Sequence, residues 1–216
     1  PNDTLPRGAH GAQLWRRGGA AKFSTGGRLT PRIKSRRQPK ALMKPVTIRK
    51  ANFDRIVAQA EREFPFECCG FIIGSDAEPA RPPVVARPGI EGAGAIEEVR
   101  PITNIQNLKH AEDPIAFARD ARTAFLMEPR EHLAVMNEID RRRLNLSAVY
   151  HSHPDHDAYF SATDRAQACS FDPGEPDYPD TVYIVISVRA GKFARAAAFR
   201  WDSASKDFAE AELVTI

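Results

Sequence analysis

Between Leu146 and Asp164 the chain is committed to a strand, a short loop and then a helix, and this segment restricts the fold more than any other. Leu146-Ser-Ala-Val-Tyr150 is apolar and β-favouring and reads as a short strand. It leads directly into His151-Ser-His153-Pro154. After six more residues comes Ser161-Ala-Thr-Asp164, which has the S-x-x-D form of a capping box and is continued by Arg165-Ala-Gln-Ala. Side chains at i and i+2 of a strand leave the same face, so His151 and His153 can point at one centre. Asp164 then falls in the first helical turn, a short loop away.

Two neutral imidazoles and one carboxylate make three protein ligands. That is the number a catalytic zinc keeps while its fourth position stays open for water. A single histidine on an apolar strand is more often a satisfied core or surface residue, but two at i and i+2, followed by Pro and S-x-x-D, point to a metal. His156 lies between the ligands, flanked by Asp155 and Asp157. It reads as a solvated loop lip, with a second metal site as the alternative, because those side chains alternate in direction without a scaffold.

The pattern H-x-H-P-x₆-S-x-x-D resembles the signature of the JAMM (MPN+) metallopeptidases. That signature is often preceded by P-x-E-x-C-G and an apolar run ending in Gly, and Pro65-Phe-Glu67-Cys-Cys69-Gly70-Phe-Ile-Ile-Gly74 matches it position by position. The resemblance runs from about Met43 to the C-terminus. It implies a mixed sheet sandwiched by helices, Zn2+ held by His151, His153 and Asp164, and hydrolysis of peptide or isopeptide bonds. For compact prokaryotic members it also implies a substrate: the Gly-Gly tail of a ubiquitin-like or sulfur-carrier protein. Many bacterial relatives place Pro directly before the serine, where this chain has Phe160, a difference that bears on loop shape and substrate fit.

Zinc lowers the pKa of a bound water to roughly 7, so hydroxide is available at neutral pH. A carboxylate of raised pKa nearby can carry the proton from water to the leaving amine. Alone, Glu67 reads as an exposed glutamate at the start of the apolar run Cys68–Ile73; the resemblance implies that it is this general base. Ser161 has two compatible roles, helix N-cap and hydrogen-bond donor to the oxyanion.

Cys68, Cys69 and Cys169 are the only cysteines, and no C-x-x-C occurs. An odd count with no apolar leader segment reads as buried thiols in a reducing, cytoplasmic setting, with no disulfide framework. A cysteine nucleophile is made redundant by the metal motif. There is no run of about eighteen apolar residues, so no membrane span is expected. No G-x-G-x-x-G or G-K-[ST] loop argues for nucleotide chemistry.

The net charge of +3 hides two opposite halves. Residues 1–44 hold 11 Lys+Arg and only Asp3 as an acid, whereas the remaining 172 residues hold 20 Lys+Arg against 27 acids. The folded part is therefore acidic, and a nucleic-acid partner is not expected for it. The Gly-, Arg- and Pro-rich tail reads as disordered. It is taken as sequence upstream of a start at Met43, in preference to a basic arm or an organelle-targeting segment.

Residues 45–216 are expected to form one α+β domain. The pattern predicts an edge strand over Pro45–Arg49 and an amphipathic helix through Phe53, Ile56, Val57 and Ala60 that ends before Pro65. A buried strand follows at Cys68–Ile73, then a loop from Asp76 to Gly94 and a strand from Ile96 to Ile105. Helical pieces are expected from Asp113 to Phe125. A long helix should span Pro129–Arg143, facing inward with Leu133, Met136 and Ile139, its arginine triplet complementing the helix dipole. An acidic loop, residues 170–180, precedes the strongest strand, Thr181–Val188. A hairpin across Ala190-Gly191 leads to a partner at Ala194–Trp201, and one short strand closes the chain at Glu210–Ile216. Two other function classes remain: a non-catalytic scaffold on the same fold, which would lack the ligands, and a hydrolase of cell-wall or phage-tail peptides.

Overall fold

The computed structural model describes residues 43–75 and 97–216. The basic tail, apart from Met43 and Lys44, and the loop expected over Asp76–Gly94 lie outside the described residues. Along the chain run β1 (Val46–Ile48), α1 (Lys50–Glu63), β2 (Cys69–Gly74), β3 (Glu97–Ile102), α2 (Gln106–Glu112), α3 (Pro129–Arg142), β4 (Asn145–Pro154), α4 (Ala162–Ala168), β5 (Val182–Arg189), β6 (Lys192–Asp202), β7 (Asp207–Ala211) and β8 (Leu213–Thr215).

Six strands form a mixed sheet in the order β3-β2-β4-β5-β6-β7, in which only β4 and β5 run parallel. Alternation along the central strands gives the sheet two buried faces. Ile72, Tyr150, Ile184 and Ile186 face α1, whose Ile56 and Ala60 cover them. Phe71, Ile73, Val149, Tyr183 and Val185 face the other way, toward Val135 of α3 and Ala168 of α4. Helices on both faces of a mixed sheet make this an α+β fold. Edge strand β3 tolerates Pro101, because a missing N–H matters little where a strand has a partner on one side only.

β2 and β4 are antiparallel, with Cys69 opposite His151 and Gly70 opposite Tyr150. Tyr150 donates its hydroxyl to Gln59 Oε1 of α1 at 2.5 Å, and Gln59 Nε2 reaches back to the Cys69 carbonyl at 3.3 Å. One buried amide thus ties the helix to both strands.

Three expectations are corrected. The helix between β3 and α3 is α2, earlier than the pattern placed it, and residues 113–125 form turns. Pro114 pushes Asp113 out of the helical region (φ −146, ψ 87), and side chains take the backbone donors that a helix would need. Asp113 Oδ1 accepts from Ile115 and Ala116, Asn107 Oδ1 from Ala121, and Asn104 Oδ1 from Leu126. On α3, Leu133 is 60 % exposed and Val135 is the buried residue, with Met136 and Ile139 packed beside it. The closing segment is two strands: β7 completes the large sheet, and β8 pairs in parallel with β1. Arg142 of the arginine triplet bonds both Glu138 and Glu98, while Arg143 caps α3 with φ 54.

Gly70 sits where β2 crosses Tyr150. A Cβ there would lie 2.5 Å from the Arg100 carbonyl oxygen as well as against the Tyr150 hydroxyl, and the backbone contact cannot yield cheaply. Gly70→Ala is expected to destabilise the protein by about 2–3 kcal/mol, measured by denaturant unfolding.

Candidate metal centre

The two histidines lie on the last residues of β4, buried to 1 % and 5 % exposure, and Asp164 is in the first turn of α4 at 6 %. His151 Nε2 and His153 Nε2 are 3.1 Å apart; Asp164 Oδ1 stands 3.2 Å from His151 Nε2, and its Oδ2 stands 3.5 Å from His153 Nε2. Four ligands bound tetrahedrally at 2.0–2.1 Å stand about 3.3 Å from each other. Three side chains whose facing donor atoms already stand near that spacing fit such an ion. Among the described residues this is the one group of three or more such side chains that converges.

Each of the three side chains is held by a second contact, as metal ligands generally are. His153 Nδ1 donates to the Asp157 carbonyl at 2.9 Å, which leaves the Nε2 lone pair facing the centre. His151 stacks on Phe125, ring centroids 4.8 Å apart, and His153 meets Tyr159 edge-on at 5.2 Å. The capping box forms in full: Ser161 N donates to Asp164 Oδ2 at 2.7 Å, and Asp164 N donates to Ser161 Oγ at 3.1 Å. Capping uses a lone pair of Ser161, so its O–H remains free to donate.

Glu67 precedes β2 and is 5 % exposed. Its backbone is clamped: its N–H donates to the Ala121 carbonyl at 2.7 Å, and its carbonyl accepts from Asn104 Nδ2 at 2.8 Å. Next to it, Cys68 N donates to Ser152 Oγ at 2.8 Å and Ser152 N to the Cys68 carbonyl at 3.0 Å. Those two bonds bring the start of β2 beside the end of β4. Glu67, His153, Ser161 and Asp164 consequently line one cleft of about 90 Å3.

Burial raises the Glu67 carboxyl to about 8 and the nearby Asp164 raises it too, opposed by His153 and Arg119. Burial also lowers the His151 pKa, so that ring is neutral at physiological pH. For Asp164 burial acts upward but is outweighed by both histidines and the Ser161 N–H, which hold it well below the usual carboxylate range.

His156 stays outside the centre, exposed at the cleft rim with Nδ1 bonded to the Pro154 carbonyl at 2.8 Å. Its neighbours are engaged elsewhere, Asp155 with the Ala190 N–H and Asp157 with Arg189. Cys68, Cys69 and Cys169 are free and buried, and burial pushes the Cys68 thiol up to about 12, leaving it inert as a nucleophile. Sequence reading missed Asn104, Ser152 and the cleft-lining Arg119 and Arg122. The serine between the histidines was the one signal available; the others are placed by tertiary contacts alone.

Residues 49–202 match the model of a family described as prokaryotic homologs of the JAB domain. A relative named desampylase, from Haloferax volcanii, is 26 % identical over 124 residues, covering 57 % of this chain and 63 % of the relative. The match thus spans less than two thirds of that protein. A solution structure of a protein from Desulfitobacterium hafniense superposes with a TM-score of 0.50 at 22 % identity, covering 79 % of this chain and 92 % of that one, a likeness of fold.

The raised Glu67 pKa has a measurable cost. A folded-state value of about 8 against 4.5 unfolded means the folded protein keeps a proton the unfolded chain has lost, so metal-free protein loses stability from this group as pH rises from 4.5 to 8. Glu67→Gln removes that loss. Without metal the variant is expected to gain on the wild type steadily across that window, by up to about 4 kcal/mol at pH 8, read as the difference between the two unfolding free energies at each pH.

Proposed function

The chain belongs to the prokaryotic JAB-domain family, and from that premise we propose that it is a zinc-dependent hydrolase releasing a ubiquitin-like or sulfur-carrier protein by cutting the amide bond at its C-terminal Gly-Gly tail. The observation that carries the reading is the convergence of three side chains, their facing donor atoms 3.1–3.5 Å apart, beside a buried carboxyl. The similarity to a desampylase supports the substrate class. No described helix is long and apolar enough to cross a membrane, which fits a cytoplasmic setting. Residues 45–216 are the catalytic unit, with the basic tail outside it.

His151, His153 and Asp164 would hold the zinc, which when bound supplies the Lewis acidity that makes hydroxide available near neutral pH and polarises the scissile carbonyl. Glu67 takes the proton from the attacking water and passes it to the departing nitrogen. Burial alone would keep Glu67 protonated at pH 7, whereas a dication in the adjacent centre favours its carboxylate. The two opposing influences suit a group that must both accept a proton and return it. Ser161 directs its free O–H at the developing oxyanion while its lone pair holds α4. Phe125 and Tyr159 pack the two imidazoles from the sides and limit water around them.

Elemental analysis and hydrolysis of Gly-Gly-tailed conjugates test this reading. Wild type is expected to carry about one zinc per chain. His153→Ala should lose both metal and turnover. Glu67→Gln should keep the metal and lose roughly 10²–10⁴ in kcat. Full activity in Glu67→Gln, or undiminished zinc in His153→Ala, would overturn the assigned roles. Ser161→Ala should cost about 1 kcal/mol of stability through the lost cap and lower kcat further than that loss explains.

A further inference from the structure

A second cavity, of about 280 Å3, touches His151 and Asp164 but none of Glu67, His153 or Ser161. Its walls are chiefly apolar, built by Phe71, Phe125, Met127 and Phe160. Phe160 is the residue that stands where many bacterial relatives have Pro, so this wall is a feature of the present loop. Ser170 and Phe171, both exposed, form the mouth.

Two polar atoms interrupt that lining. Tyr183 is 5 % exposed, and its hydroxyl has no hydrogen-bond partner. Gln167 gives Nε2 to the Phe125 carbonyl at 2.5 Å, while its Oε1 has no partner. Among the described residues only three buried side-chain N or O atoms are unpartnered, and two of them belong to residues lining this one cavity. Burying such an atom unpaired is costly, so their coincidence calls for an occupant. The other polar side chains there are engaged: His132 with Tyr178 at 3.3 Å, and Asp177 with Ser170 and Phe171. Burial raises the Tyr183 pKa, which keeps its O–H as a donor.

An aromatic amide answers every part of this lining. Its ring covers the phenyl walls, its carbonyl accepts from the Tyr183 O–H, and its N–H donates to Gln167 Oε1. The Asp164 carboxylate in the wall disfavours an anion. A guest bonded to Gln167 also steadies the Phe125 carbonyl, and the Phe125 ring stacks on His151 at 4.8 Å. Less order then remains to be imposed on the donor set when an ion arrives.

We propose that this cavity is an effector site for a small, uncharged aromatic amide, and that filling it favours metal binding at the adjoining centre.

Benzamide is the probe for the test. Acetophenone has the same shape and carbonyl but no N–H, and toluene has neither. The full chain carries 13C-methyl methionine: Met127 lines the cavity, whereas Met43 packs on the opposite face of the sheet. Benzamide is expected to shift the Met127 signal and leave Met43 unmoved, at a single saturable site, and to bind at least about threefold more tightly than acetophenone. Tyr183→Phe deletes the unpartnered hydroxyl, so it should unfold no more easily than wild type. It should nonetheless bind benzamide about fivefold more weakly and toluene equally well. Zinc-loaded protein should bind benzamide at least about threefold more tightly than metal-free protein. A Met127 signal that never moves, benzamide no tighter than acetophenone, or undiminished benzamide binding in Tyr183→Phe would overturn the site. Equal affinity with and without zinc would overturn the coupling. The binding measurements on metal-free protein stand or fall separately from hydrolysis.

Discussion

The pair of hydrogen bonds between Cys68 and Ser152 fixes everything that the site depends on. β2 and β4 are far apart in sequence, and their antiparallel register decides whether Glu67 arrives beside His153 or one residue away from it. A slip of one residue in a strand turns every side chain to the opposite face. Here the buried hydroxyl of Ser152 adds a bond that no other register would satisfy, just past the point where the regular pairing ends. Gln59 and Tyr150 secure the same pair of strands from the α1 side. His151, His153 and the Glu67 carboxyl are thus positioned by the packed sheet and Asp164 by the first turn of α4, with loops completing the cleft.

Much of this was legible in the sequence because the information is local. The apolar run before His151, the i, i+2 histidine spacing and the S-x-x-D box each fix geometry over a few residues, and strand, loop and helix formed as those patterns require. The apolar, β-branched run Thr181–Val188 and the Ala190-Gly191 turn likewise gave the β5–β6 hairpin. Membership of the JAB family agrees with the segment around Glu67 that resembled the JAMM pattern.

What escaped was decided by side chains reaching across the chain. Residues 113–125 carry helix-forming Ala and Arg, yet Asn107, Asp113 and Asp120 take several of their backbone donors, and turns result. Asn104 accepts from both Gln106 and Leu126 while donating to the Glu67 carbonyl, a role with no trace in spacing. Leu133 shows the limit of periodicity in another way: α3 presents Val135 to the sheet because its angle of approach is set by the partners it meets. Arg119 and Arg122 look like ordinary solvated charges until those same turns bring them to the cleft.

Asp164 belongs to two structures at once. Its carboxylate fastens the first turn of α4 through the Ser161 N–H and also faces both imidazoles, while His153 is braced against the Asp157 carbonyl of the intervening loop. The segment from Asp155 to Phe160 is therefore suspended between two side chains that turn toward the same point. An ion bound there would act as a strut as well as a reagent, joining the end of a strand to the beginning of a helix. The shape of the cleft and the occupancy of its centre would then become one variable, with a slacker mouth wherever the ion is missing.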